Sequence, residues 1–146
     1  MKKRLKPIEA AVRYLGFRPR TEQEIRRYLT KKGTGSQAVA EVVEKLKRIK
    51  LIDDEEFVDY WLRRRDTGKI RASRVLKQEL ARLGVDKQLV AEALGNQRQA
   101  DRLRAEKLVE KVGGKYDREG LIGYLSRRGF DWDTVRWAVD GGDQKE

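Results

Sequence analysis

The chain repeats one pattern: an apolar residue, a leucine four positions later, and a glycine four positions after that. The pattern occurs at Ile25, Leu29 and Gly33, at Leu76, Leu80 and Gly84, and at Leu121, Leu125 and Gly129. Residues four apart lie on one face of an α-helix, and glycine often ends a helix. Copies about 50 residues apart are typical of arrays of small supersecondary units. The pattern therefore predicts copies of one helical module.

The two later copies agree beyond the glycine, as Asp86 and Val90 in one and Asp131 and Val135 in the other. No alternating run of Val, Ile or Thr indicates a β-strand. We therefore expect an all-α fold of three tandem three-helix, helix-turn-helix-like repeats in an elongated or curved array. The expected repeats span residues 1–52, 53–95 and 96–142, and residues 143–146 form a tail.

The composition favours thin repeats over one thick core. Hydrophobic residues make up 38% of the chain and charged residues 40%. That is too apolar for a disordered chain and too charged for a single large core. The chain contains no cysteine, and no apolar run approaches the roughly 18 residues needed to span a membrane. We expect a cytoplasmic monomer without membrane association.

Positive charge is concentrated in two stretches, residues 1–35 and residues 61–87, and the whole chain has a formal net charge of +11. Such an excess favours a polyanionic partner. The densest set straddles a predicted break between two helices of the middle repeat: Arg63, Arg64, Arg65, Lys69, Arg71, Arg74 and Lys77. Guanidinium groups there can pair with phosphates or with an acidic protein surface. Because side chains on helices point in several directions, we expect some of these cations to be only solvated. Weaker candidates are Arg127, Arg128, Lys2, Lys3, Arg4 and Lys6.

An acidic run raises the question of metal binding or acid–base catalysis. It consists of Asp53, Asp54, Glu55 and Glu56. Carboxylates in the first turn of a helix are stabilised by its free N–H groups and its dipole, so helix capping explains the run without a metal. A surface for a basic partner is a second interpretation. The chain has no histidine and no glycine-rich phosphate loop. We therefore predict no catalytic residue, no metal site and no cofactor, and expect that the chain is not an enzyme.

Each predicted second and third helix, joined by a glycine turn, has helix-turn-helix character. In DNA-binding proteins that motif places one helix in the major groove. The third helix of the middle repeat offers Lys87, Gln88 and Glu92, a poor set for reading base edges. Sequence-specific DNA readout is not expected.

The motifs around the arginine-rich stretch resemble the signature of a known family. The first motif is Arg20-Thr21-x-x-Glu24-Ile25. The central motif is Leu51-Ile52-Asp53-Asp54-x-x-Phe57, followed by Gly68 and by Leu76-x-x-Glu79-Leu80-x-x-x-Gly84-Val85. The last motif is Tyr124-Leu125-Ser126-Arg127-Arg128-Gly129-Phe130. Over residues 8–140 the chain resembles the RecX regulatory proteins of bacteria, which modulate the recombinase RecA. Gly16 and Arg82-Leu83 depart from the family pattern and leave the resemblance intact.

The resemblance implies a fold and a function. RecX proteins are tandem three-helix modules that bind along the groove of a RecA–single-stranded-DNA filament. They usually suppress its ATPase, strand-exchange and coprotease activities, and so limit the SOS response in DNA repair and homologous recombination. For this chain the implied partners are a RecA filament and single-stranded DNA, with double-stranded DNA and the direction of regulation left open. The middle-repeat cations would form much of the contact surface, and the structural motif would comprise Asp53, Asp54, Phe57, Gly84 and Gly129. The alternative is a non-specific single- or double-stranded nucleic-acid-binding protein.

Overall fold

The computed structural model describes residues 4–142, and all regular secondary structure in that range is α-helical. Lys2, Lys3 and the expected tail at residues 143–146 lie outside the described residues. The helices are α1 (Pro7–Leu15), α2 (Glu22–Lys31), α3 (Ser36–Arg48), α4 (Asp54–Thr67), α5 (Ser73–Arg82), α6 (Lys87–Leu94), α7 (Gln97–Val112), α8 (Arg118–Arg127) and α9 (Trp132–Val139). The all-α prediction is confirmed.

Each group of three helices builds a hydrophobic core of its own. The leucines of the repeated pattern, Leu29, Leu80 and Leu125, are fully buried, one in each core. Burying such a side chain contributes about 1.5–3 kcal/mol relative to leaving it exposed. Ile70 and Ala72, from the loop between α4 and α5, pack into the third core, so the second and third repeats share apolar contacts. The fold is therefore the predicted array of three tandem three-helix repeats.

Side-chain caps fix where many of the helices begin. At the start of α2, Thr21 and Glu24 form the predicted capping box, in which each side chain accepts from the other's backbone N–H at 3.1 Å. An aspartate accepts first-turn N–H groups at the start of α4, α6, α8 and α9: Asp53, Asp86, Asp117 and Asp131. Each such cap contributes about 1 kcal/mol. These local bonds place the turns between the helices.

All three glycines of the repeated pattern end helices, and two of them also lie against a neighbouring repeat. Gly33, Gly84 and Gly129 have φ values of 91°, 85° and 94°, in the left-handed region that other residues rarely adopt. A Cβ atom at Gly129 would lie 2.5 Å from Val75 Cγ2, and one at Gly84 would overlap with the Cβ atom of Gln23. Within residues 4–142, no atom comes within 4 Å of the equivalent point at Gly33. Glycine is therefore required on two grounds at the later turns.

The two junctions between repeats share one geometry. The N-terminal end of the middle helix of one repeat lies against the glycine turn of the next repeat. At the first junction the Thr21 hydroxyl donates to the Leu83 carbonyl at 2.6 Å. At the second, the Ala72 N–H donates to the Arg128 carbonyl at 3.1 Å. Because Thr21 and Ala72 are both N-cap residues, the two junctions are structurally equivalent.

An aspartate on the first helix of the following repeat completes each junction. Asp54 accepts a hydrogen bond from the Glu22 N–H at 2.9 Å, and Asp101 accepts one from the Ser73 N–H at 2.8 Å. Glu22 and Ser73 are the first residues of α2 and α5, whose N–H groups have no partner within the helix. The second and third repeats thus each cap a helix of the repeat before them.

Candidate binding surface

The arginine-rich end of α4 is positioned by contacts near the start of that helix. Asp53 Oδ1 accepts from the N–H groups of Glu55 and Glu56 at 3.0 and 3.3 Å. Phe57 is 2% exposed and stacks on Trp61 with 5.8 Å between ring centroids. The capped first turn and the buried ring fix the axis of α4. They therefore also fix the directions in which its last turns present their arginines.

Asp54, the second aspartate of the motif, acts on the first repeat rather than on α4. Its carboxylate accepts the Glu22 N–H across the repeat boundary. Burial raises the pKa of Asp54 above its ordinary value, and the bond from Glu22 opposes that rise only in part. The adjacent aspartates of this motif therefore have different roles, since Asp53 caps its own helix and Asp54 joins two repeats.

Most of the predicted cations of the middle repeat are exposed. They occupy the last turns of α4, the loop at residues 68–72, and the first turns of α5. The exposed members are Arg63, Arg64, Lys69, Arg74 and Lys77, whereas Arg65 and Arg71 are partly buried. These residues are close in sequence, but they face different neighbours: Arg63 lines a cleft beside the first repeat, Arg74 bonds to the third repeat, and Lys77 lines a groove between α5 and α6. We call this set of seven residues the basic corner.

Arg65 also braces the repeat internally. Its Nε donates to Glu79 Oε2 at 2.8 Å, and the Trp61 indole N–H donates to the same oxygen at 2.7 Å. The Arg65 guanidinium also lies over the Trp61 ring, 4.8 Å from the centroid. A charged group held this way links α4 to α5. Any contact of Arg65 with a partner would compete with this brace.

Arg74 connects the basic corner to the third repeat, whereas Arg71 bonds only locally. Arg74 Nε donates to the Gly129 carbonyl at 3.4 Å, across the second junction. Arg71 Nη1 donates locally to the Ile70 carbonyl at 2.8 Å. Since Gly129 directly follows Arg128, the structure brings the main predicted set next to the weaker candidates of the third repeat.

Those weaker candidates differ in their surroundings. Arg127 is exposed at the end of α8. Arg128 is partly buried, donates from Nη1 to the Tyr124 carbonyl at 2.9 Å, and lies 3.5 Å from the Tyr124 ring centroid. At the N-terminus, Arg4 and Lys6 are exposed. Of these residues, Arg127 is therefore the better placed to extend the basic corner.

Arg63 faces a cleft between the first and second repeats. The cleft has a volume of about 450 Å³ and is lined by cations and carboxylates together, among them Arg20, Lys50, Arg63, Asp53, Glu56 and Asp59. Mixed charge of this kind suits a polar protein surface better than a uniform line of phosphates.

A basic and aromatic cluster in the third repeat was not among the predicted site residues. The Arg102 guanidinium lies 5.0 Å from the Trp137 ring centroid. The pKa of Asp131 is lowered, first by the N–H of Thr134 and further by the charges of Arg98 and Arg102. The four-residue spacing of Arg98 and Arg102 on one helix face was the signal that could have revealed them.

Within residues 4–142, no group of three or more metal-ligating side chains is placed to hold an ion. Over the same range, no helix combines the length and apolar character needed to cross a membrane.

Comparison with known proteins decides the family. Residues 8–46 match the model of the first three-helix domain of RecX, and residues 53–94 match the second. A regulatory protein RecX from Mycolicibacterium vanbaalenii is 36% identical over 134 residues, covering 82% of this chain and 73% of the relative. The chain belongs to the RecX family. The regulatory protein RecX of Bacillus licheniformis is 31% identical over 144 residues, which cover 92% of this chain but 54% of that relative.

Solved RecX structures share the fold. The crystal structure of RecX from Lactobacillus salivarius matches with a TM-score of 0.73 and 23% identity, covering 94% of this chain and 95% of that one. A second structure, of a regulatory protein RecX, gives a TM-score of 0.69 and 21% identity over 92% of this chain and 70% of that one. The RecX family is one of regulatory proteins rather than of enzymes.

Proposed function

We propose that this RecX-family chain binds a RecA–single-stranded-DNA filament and inhibits its ATPase, strand-exchange and coprotease activities. The observation that carries the proposal is the basic corner, a group of mostly exposed cations at the centre of a RecX-type repeat array. Inhibition of these activities would limit the SOS response and restrain homologous recombination during DNA repair. We further propose that the chain acts in the cytoplasm as a monomer.

The proposed mechanism is occupation of a surface, without covalent chemistry. Exposed guanidinium and ammonium groups attract DNA phosphates or an acidic protein surface, and pairing releases counterions from the DNA. The contact residues are the members of the basic corner together with Arg127 and Arg128 of the third repeat. Several repeats in series allow contacts with more than one filament subunit, which multiplies weak individual contacts.

The experiment that tests inhibition is a titration of RecA's DNA-dependent ATPase with this protein. Binding to the filament is measured in parallel by co-sedimentation. We expect the ATPase rate to fall as bound protein accumulates. An unchanged rate at saturating occupancy would refute the inhibitory role, while a raised rate would show regulation in the opposite direction.

Non-specific binding to single- or double-stranded nucleic acid is the second candidate function. It is favoured by a specific observation: most of the cations are exposed, while α6 offers only Lys87, Gln88 and Glu92 for reading bases. Mobility-shift titrations with each DNA form, at several salt concentrations and with and without RecA, separate the two functions. Tight DNA binding combined with no gain from RecA would favour this alternative.

A further inference from the structure

An apolar groove lies between α5 and α6 of the middle repeat. Its volume is about 580 Å³. Val85 and Val90, which are 6% and 5% exposed, contribute to its floor from the core. Ala81 and Ala91 are exposed and line it from the two helices. Their small side chains leave the floor accessible to an apolar group from outside.

The charged residues that line this groove have a single sign, whereas the carboxylates of Asp86 and Glu92 lie beside the lining in the sequence. Lys77 and Lys87 are the charged residues among the described residues that line it, and both are exposed. No carboxylate and no aromatic ring belongs to that lining. Bases of single-stranded DNA bind proteins by stacking on aromatic rings, so the groove is poorly suited to them. Aliphatic walls flanked by lysines instead suit a protein side chain with carboxylates beside it.

The other repeats do not reproduce this combination. Positions can be matched by counting from the glycine of the repeated pattern. In the third repeat, Arg136 stands at the position of Ala91 and Trp132 at the position of Lys87. In the first repeat the position of Lys87 is Ser36. An apolar floor between two lysines is therefore specific to the middle repeat, which also carries the basic corner.

We propose that the α5–α6 groove receives an acidic protein segment that inserts an apolar side chain between α5 and α6. This inference rests on the proposed function, because the segment is assigned to the RecA protein of the filament rather than to its DNA. The basic corner then provides cations for polyanionic contact and the groove provides an apolar anchor, with Lys77 common to both. The inserted apolar side chain excludes water from the contact, and the lysines favour a segment that carries carboxylates.

A single labelled cysteine tests the proposal, since the natural chain has none. Ala91→Cys places an environment-sensitive fluorophore in the groove, and Ala93→Cys, on the same helix and also exposed, is the matched control. We expect the emission of the label at position 91 to shift to the blue when RecA–single-stranded-DNA filament is added. The label at position 93 should change little. Single-stranded DNA alone should leave both labels unchanged.

Charge reversal provides a second readout that does not depend on a label. Lys87→Glu, which leaves every residue of the basic corner in place, should weaken filament binding at least fivefold. Lys115→Glu, at an exposed lysine of the third repeat, should leave it within twofold. Helical circular dichroism of each variant shows whether it is folded.

The outcomes separate this inference from the proposed function. If filament co-sediments with the protein but the label at position 91 does not respond, the groove is not the anchor site, while filament binding stands. A blue shift with DNA alone would assign the groove to nucleic acid and overturn the inference. If the natural protein fails to co-sediment with filament, the proposed function and the inference both fail.

Discussion

Gly84 has two structural roles. It ends helix α5 in a left-handed backbone conformation, and its lack of a side chain allows a neighbouring repeat to pack closely against it. Its φ of 85° follows the last turn of α5, and the missing side chain lets Gln23 of α2 pack against the turn. Gly33 adopts the same backbone conformation, but its side-chain direction is open. The two glycines therefore separate the cost of backbone strain from the cost of steric overlap.

Replacement of each glycine by alanine should show this separation. Gly33→Ala introduces the left-handed conformation alone and should cost about 1–2 kcal/mol of unfolding free energy. Gly84→Ala adds a clash with Gln23 and should cost a further 1–3 kcal/mol or so, the typical range for overpacking. Urea unfolding followed by circular dichroism measures both values. Equal losses in the two variants would contradict the close approach at Gly84.

Among the helices, local sequence predicts most boundaries. Thr21 with Glu24, Asp53 and Gly84 mark their helix ends correctly because a cap and its partner lie within four residues. The double role of Gly84 is different, since it depends on a residue of another repeat. Local sequence rules therefore predict the turn at Gly84, but the residue that packs against it is known only from the tertiary structure.

For the candidate site too, the sequence predicts which residues are involved but not which distant residues they contact. The sequence located the cations of the basic corner, but it did not reveal that Arg65 is paired with Glu79 or that Arg74 reaches Gly129. It correctly placed Asp54 in the first turn of α4, but it did not reveal that Asp54 accepts a hydrogen bond from the Glu22 N–H of α2. These partners are distant along the chain, so no spacing rule connects them. Asp101 has the same role at the second junction, but it stands at a different position in its helix from Asp54.

The cap at Asp131 should give α9 a pH-dependent contribution to stability. The Thr134 N–H donates to Asp131 at 2.8 Å and lowers the pKa of that carboxyl below its ordinary value. A lowered pKa in the folded state means that the stabilisation is complete above the unfolded pKa of about 3.9. It is lost as pH falls through the lower folded value.

Asp131→Ala should therefore cost about 0.5–2 kcal/mol at pH 7 and progressively less as the pH falls below about 4. Urea unfolding at a series of pH values measures this difference. Asp59→Ala, an exposed position within α4, is the control and should show little change at any pH. A cost for Asp131→Ala that does not vary with pH would argue against a charged cap.

Across the full array, the equivalent junctions set how the repeats face one another. Each junction joins a helix start, a glycine turn and an aspartate of the following repeat. At the second junction this arrangement carries Arg74 to Gly129, next to Arg127 and Arg128. Cations from two repeats therefore meet at one boundary. This continuity across repeats is what a protein that contacts an extended partner requires.

The proposed filament binding by the basic corner can be tested separately from the structural role of its arginines. Arg63→Ala combined with Arg64→Ala removes two exposed cations and leaves the brace at Arg65 in place. Lys111→Ala combined with Lys115→Ala removes the same charge from the third repeat and serves as the matched control.

The decisive measurement is the affinity of these two double variants for RecA–single-stranded-DNA filament at several salt concentrations. We expect the arginine variant to bind more weakly, and its slope of log affinity against log salt to shrink by about 0.7 for each DNA phosphate that it no longer neutralises. The lysine variant should match the natural protein in both quantities. An arginine variant that keeps the natural affinity and salt dependence would contradict binding by the basic corner and place the binding surface elsewhere.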